Sequence, residues 1–190
     1  MDVDLEALMI EAKKVRPKLI IIAGSICLFP YSLREVRKVA DEVGAFILYD
    51  AAHMGGLIAG GEFQQPLKEG ADLMTGSTYK NFGGAPSRMI LSKSAELAKR
   101  LDKIAFPGLT ANFDLSWIAT MVISVLDLLT HGQEYTRMCV AKAEALKEAL
   151  HKGGCDVFQI SRKGFTNSQY VAFPAPAYGG GDTSSKQLEK

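Results

Sequence analysis

The chain has 190 residues, 47% of them apolar and 23% charged, and its 22 Lys plus Arg against 21 Asp plus Glu leave a formal net charge of +1. At about 100–200 residues per domain this is one globular unit or one with part of a second, and the composition excludes intrinsic disorder. Near-neutral charge gives no bulk reason to bind nucleic acid. No run reaches about 18 uninterrupted apolar residues and Met1 is followed by acidic side chains, so neither a membrane span nor a signal peptide is expected and the protein reads as cytoplasmic.

Residues 5–15 carry apolar side chains at helical spacing, and Pro17 ends that helix because proline disfavours a helical residue before it. The run Lys18-Leu-Ile-Ile-Ile-Ala-Gly24 is apolar on both faces, as in a strand buried within a parallel sheet. Ser32 and Glu35 have capping-box spacing at the start of a helix that Gly44 terminates. Residues 45–50 then give a second buried strand ending on Asp50, and this strand, helix, strand order predicts an α/β fold with a mostly parallel sheet and helices on both faces. Two further short strands, 72–78 and 88–92, flank the tight loop Tyr79-Lys-Asn-Phe-Gly-Gly-Ala-Pro-Ser87. A helix over 94–105 follows. Residues 104–136 contain no Lys or Arg; Asn112 or Asp114 caps a long apolar helix there, expected to stop near His131-Gly132 and to be buried or at an interface. A second, amphipathic helix covers 134–152. Beyond Gly153-Gly154 the texture changes, which predicts a boundary: residues 1–150 as the central part of a large domain and 151–190 as the beginning of a small α+β domain, with the polar tail a loop.

Ligands in open α/β sheets bind at the carboxyl ends of the strands. The chemistry-bearing residues there are Ser25, Asp50 with His53, and Lys80 on the tight loop. Singly each has a bland explanation: a solvated lysine, a local Asp–His pair, a serine that shapes a turn. Their delivery to one sheet edge by three separate elements argues for more. A lysine in a partly desolvated polar pocket can form a Schiff base, and pyridoxal phosphate needs that lysine together with an acid against its pyridine nitrogen. Asp50 suits the acid. The sequence has neither GxxxxGK[ST] nor GxGxxG, and a metal at Asp50 and His53 lacks an evident third ligand. The cysteines Cys27, Cys139 and Cys155 lack any CxxC spacing, which argues against a disulfide framework or zinc site.

The blocks Arg16-Pro-Lys-Leu-Ile-Ile-Ile-Ala-Gly-Ser25, Ala40-Asp-Glu-Val-Gly-Ala45, Tyr49-Asp-Ala-Ala-His-Met-Gly-Gly-Leu57, Gly76-Ser-Thr-Tyr-Lys80 and Phe106-Pro-Gly108 occur in an order that resembles the serine hydroxymethyltransferase family. That resemblance implies the large domain of a fold type I pyridoxal phosphate enzyme. Lys80 corresponds to the Schiff-base lysine, Asp50 to the partner of the pyridine nitrogen, His53 and Ser25 to groups near the phenolic oxygen, and Ser77 to a hydroxyl of the Thr-rich run. The implied reaction is hydroxymethyl transfer or aldol cleavage on a serine- or glycine-type amino acid, with tetrahydrofolate as a candidate cosubstrate and a homo-oligomeric enzyme. The chain departs from the family at Tyr79, where histidine is usual, at Gly84-Ala-Pro-Ser-Arg88, where the family's arginine is displaced or lost, and at Leu109-Thr-Ala-Asn-Phe113, which replaces a Gly-Gly pair. One extra residue also lies between Asp50 and Lys80. These departures point to a divergent branch acting on an α-substituted serine, such as α-methylserine. By the same resemblance the main phosphate loop and the carboxylate-clamping arginine lie outside the chain, which reads as a piece of a longer enzyme with little activity alone. The alternatives are another fold type I enzyme (aminotransferase, threonine aldolase or desulfurase) and a non-catalytic binding fragment that docks through residues 112–130.

Overall fold

The computed structural model describes residues 2–112, 114–160, 164 and 166–189. Helix α1, Leu5–Val15, is capped by the Asp4 carboxylate, which accepts from the Ala7 N–H, and it stops at Arg16 in a left-handed conformation before Pro17. Strand β1, Leu19–Ala23, pairs in parallel with β2, Phe46–Asp50, and the helix between them is α2, Leu33–Val43. Gly44 closes α2 at φ 73°, a conformation an alanine would adopt only under strain. Two short helices, α3 (Gly55–Ala59) and α4 (Pro66–Glu69), lead to β3, Leu73–Ser77, which continues the parallel sheet beside β2. A hairpin then places β4, Arg88–Ser92, antiparallel to β3, so the sheet order is β1-β2-β3-β4 and the sheet is mostly parallel.

The core lies on one face of this sheet. Ile20, Ile22, Ile47 and Tyr49 point into it and meet Leu33, Val36 and Ala40 of α2 and Leu57 and Ile58 of α3. The expectation of strands covered on both faces is corrected here: burial alternates along β1, with Leu19 40% and Ile21 60% exposed, and Phe46 is exposed beside them. An all-apolar strand fits a covered or an uncovered face equally well, and the pleat separates the two.

Three local expectations also change. The Ser32–Glu35 capping box does not form: Ser32 Oγ donates to Asp2 at 2.7 Å, and Glu35 is drawn instead to Lys38 at 2.7 Å. A charged acceptor for the serine and a cation one turn on for the glutamate outcompete the reciprocal bonds. The two helices expected on either side of His131-Gly132 are one, α6, Leu115–Lys152, capped by Asp114 through the Ser116 N–H at 2.9 Å. Gly132 does not terminate the helix, and the close packing here requires a small residue at the facing Gly60, where a Cβ would sit 2.7 Å from the Gly132 carbonyl and 2.1 Å from Thr136 Oγ1. The amino-terminal half of α6 is largely exposed, and by length and composition alone the helix is long and apolar enough to cross a membrane. Finally, the tail expected as a loop contains α7, Gly181–Leu188, after α5 (Ala95–Lys103) and α6 in chain order. Ser161, Arg162, Lys163 and Phe165, within the expected small domain, lie outside the described residues, as do Phe113 and Lys190.

Candidate active site

The three parallel strands end on one side, and each delivers part of a single cavity of about 560 Å³. Ser25 follows β1, Asp50 closes β2 with His53 three residues on, Ser77 ends β3, and Lys80 begins the loop to β4; all five line it. The register explains this. Ala23 pairs with Asp50 and Asp50 with Thr75, so these positions share the uncovered face at the carboxyl edge. Asp50 is half-buried, and its Oδ1 accepts from the Ala52 N–H at 2.9 Å, the local turn that swings the chain toward His53.

The His53 ring lies between two side chains. Its Nε2 is 2.9 Å from Lys80 Nζ, and its Nδ1 is 3.5 Å from the Tyr170 hydroxyl. The His53 carbonyl accepts from Asn81 Nδ2 at 2.5 Å and from Gln169 Nε2 at 3.2 Å, while Asn81 Oδ1 accepts from the Gly56 N–H at 3.0 Å. One asparagine therefore ties the lysine loop both to the histidine turn and to the start of α3. The loop itself is closed by Thr78, almost fully buried, whose hydroxyl donates to the Ala85 carbonyl at 2.5 Å and accepts from the Ser87 N–H at 3.0 Å.

Sequence reasoning missed Asn81, Gln169 and Tyr170. Asn81 adjoins Lys80 and was within reach of attention to that loop; Tyr170 is 117 positions from His53 and only the fold brings them together. Arg88 lines the cavity, as does Tyr79, which is half-exposed. Residues 109–112 are exposed and are not among the cavity walls. Beneath the β1 end, burial pushes the Cys27 thiol above its usual range, and the Tyr31 phenol is pushed up to about 12, mainly by burial with Cys27 adding to it. Tyr31 donates to the Ala23 carbonyl at 3.3 Å, and this apolar, hydrogen-bonded floor keeps the Ala23–Ser25 turn in place.

A family model described as serine hydroxymethyltransferase matches residues 1–168. The chain belongs to the serine hydroxymethyltransferase family. It is 46% identical to an alpha-methylserine aldolase of Ralstonia sp over 99% of its own length, and 43% identical to a serine hydroxymethyltransferase of Archaeoglobus fulgidus over its whole length. An alpha-methylserine aldolase of Variovorax paradoxus shares 46% over 98% of the chain. The chain spans about 43% of the length of the first two relatives. Membership implies pyridoxal phosphate, and the side chains fit that group. A lysine amine, a carboxylate and an imidazole converge on a cavity whose volume lies within the usual range for small-molecule and cofactor sites. Asp50 would meet the pyridine nitrogen and Lys80 would hold the aldehyde carbon, with His53, Ser25 and Ser77 among the other polar walls.

Proposed function

We propose that this chain supplies the cofactor-binding core of a pyridoxal phosphate enzyme that removes or transfers the hydroxymethyl group of a serine-type amino acid. The observation that carries the proposal is the meeting of Lys80, His53 and Asp50 in one cavity at the carboxyl ends of β1–β3, with Lys80 Nζ 2.9 Å from His53 Nε2. Bound pyridoxal phosphate would supply an electron sink for the Cα–Cβ bonding pair of the amino acid, so that the hydroxymethyl carbon could leave as formaldehyde once its hydroxyl proton had passed to a base.

The protein groups supply position and charge. Lys80 holds the cofactor through its amine, which must shed a proton before it acts as a nucleophile, and His53 Nε2 lies within reach of that proton. Asp50, oriented by its bond from the Ala52 N–H, would set a carboxylate against the cofactor's pyridine nitrogen and favour the protonated form of that ring. The relatives named alpha-methylserine aldolase and serine hydroxymethyltransferase support an α-substituted serine or serine itself as substrate. Formaldehyde then passes to water in the first case and to tetrahydrofolate in the second. The same reading treats residues 151–190 as the start of a small domain and the complete enzyme as a cytoplasmic homo-oligomer.

The test is to incubate the purified chain with pyridoxal phosphate, reduce with borohydride and locate the adduct by peptide mass mapping. A single adduct at Lys80, weakened in Asp50→Ala and lost in Lys80→Ala, is expected. Labelling scattered over surface lysines refutes the proposal. Turnover of α-methylserine, serine, threonine and cysteine by the complete enzyme then separates aldol cleavage from aminotransferase or desulfurase chemistry.

A further inference from the structure

We propose that Tyr170 is a positioning residue for His53: its hydroxyl oxygen receives the Nδ1 proton of the ring and so keeps the Nε2 lone pair facing Lys80. This rests on the reading of Lys80 and His53 given above for its catalytic meaning, and on the geometry alone for its tautomer.

A lysine ammonium has only donors, so a charged Lys80 at 2.9 Å from Nε2 requires a lone pair on that nitrogen. A neutral imidazole has one N–H, and it must then sit on Nδ1. The oxygen that faces Nδ1 is Tyr170 Oη at 3.5 Å, at the outer limit of a hydrogen bond and therefore a weak one. Burial pushes the Tyr170 phenol above its usual range, so it meets the ring as a neutral hydroxyl. A carboxylate in that place would favour the imidazolium, which has no lone pair left for Lys80; a phenol fixes the tautomer without adding that charge. When the amine is freed, one proton passes from Nζ to Nε2, the nitrogen of Lys80 keeps its electron pair, and the imidazolium retains its Nδ1–H against the phenol oxygen.

Tyr170 is anchored well enough to do this. The stretch 166–170 is pinned from below by buried polar groups. Thr166 Oγ1 donates to the Leu28 carbonyl at 2.8 Å, Lys147 of α6 donates to the Thr166 carbonyl at 3.1 Å, and Ser168 Oγ accepts from the Tyr170 N–H at 3.3 Å. Lys147, Thr166 and Ser168 are each under one-tenth exposed. Gln169, the residue before Tyr170, reaches the His53 carbonyl at 3.2 Å, so backbone and ring of the histidine are held from the same stretch. Precise side-chain placement of this kind depends on such supporting contacts.

The chain has three histidines, so long-range ¹H–¹⁵N spectra of the uniformly labelled, cofactor-free protein resolve each ring, with His53→Gln supplying the assignment. The unaltered chain is expected to show His53 mainly as the Nδ1–H tautomer. Tyr170→Phe keeps the ring that fills the space and removes only the oxygen; the ratio of Nδ1–H to Nε2–H is expected to fall about threefold, the effect of losing one weak hydrogen bond, while the backbone amide spectrum is preserved. A purely packing role predicts no change in that ratio. An unchanged ratio, or Nε2–H dominant in the unaltered chain, overturns the proposal. Borohydride labelling in parallel keeps the two readings apart: no Lys80 adduct in the unaltered chain overturns the cofactor reading, and the tautomer ratio decides the role of Tyr170 in either case.

Discussion

Replacing Gly56 with alanine tests whether the site depends on the close approach of α3 to the lysine loop. Gly56 has an ordinary helical conformation, so by propensity alone alanine gains about 0.5–1 kcal/mol there. Its new Cβ, however, would meet the Asn81 carbonyl oxygen at 2.1 Å and the Asn81 carbonyl carbon at 2.7 Å, both main-chain atoms that cannot swing aside. Moving the nearer one from 2.1 Å to ordinary contact demands a separation of roughly 1 Å between the two segments. That shift breaks the Gly56 N–H to Asn81 Oδ1 bond, now 3.0 Å, and loosens Asn81 Nδ2 from the His53 carbonyl. Overpacking at about 2–3 kcal/mol plus one or two hydrogen bonds at about 1 kcal/mol each exceeds the propensity gain, leaving a net loss of about 2–4 kcal/mol. For a chain of this size that lowers Tm by about 5–15 °C.

Circular dichroism melts of the variant against the parent read that difference. Gly55→Ala is the internal control, because its Cβ would come no nearer than 3.8 Å to any atom and should be neutral or slightly stabilising. Cofactor labelling adds a second readout, since a displacement of about 1 Å at the lysine is expected to cut the rate of Lys80 capture by up to about 10²-fold. A Gly56→Ala protein as stable as the Gly55→Ala protein would refute the reasoning, since the propensity term would then have won and the two segments would be free to part at little cost.

Two further outcomes follow from the packing around the strands. Asp72 Oδ2 accepts both from Arg37 Nη1 at 2.8 Å and from the Ile47 N–H at 2.7 Å, joining α2 to the β2–β3 edge, so Asp72→Ala should destabilise by about 2 kcal/mol. Urea unfolding checks this, with a lower midpoint expected at unchanged m, and an unmoved midpoint counting against it. Alkaline pH acts on Tyr31, pushed up to about 12, and on Tyr49, raised by burial, from the ordinary value of 10.0 that both hold in the unfolded chain. Their contribution is fully present below pH 10; as pH rises from 10 toward 12 the unfolded tyrosines lose protons that the folded ones keep, and stability falls. The Tyr31→Phe and Tyr49→Phe double variant should flatten that decline in urea midpoint, and an unaltered slope would show that other groups govern it.

How much of this was legible in the sequence depends on the range of each signal. Local rules read correctly: the turn at Arg16–Pro17, the left-handed stop at Gly44 and the strand ends that converge on one cavity were all available from residue type and spacing. Where two interactions compete, local rules stop short. Ser32 and Glu35 have capping-box spacing, yet Asp2 and Lys38 offer charged partners that the spacing cannot weigh. Gly132 looks like a stop, yet the helix runs through it, and the residue that must be small for the chain to touch α6 there is Gly60, against Thr136 and the Gly132 carbonyl.

The site divides along the same line. Ser25, Asp50, His53 and Lys80 could be singled out because a strand end confines its chemistry to a few positions, and Ser77 only through the family resemblance; all five line one cavity. Asn81, Gln169 and Tyr170 act on His53 from other elements, and amide and phenol side chains are common enough on any surface to carry no signal alone. Their meaning lies in what they touch. A carbonyl held from two sides and a ring flanked by an amine and a phenol are arrangements of the folded chain. The lysine is supported in the same way: the His53 ring reaches Lys80 Nζ at 2.9 Å from the turn after β2, so part of what holds the amine comes from outside its own loop.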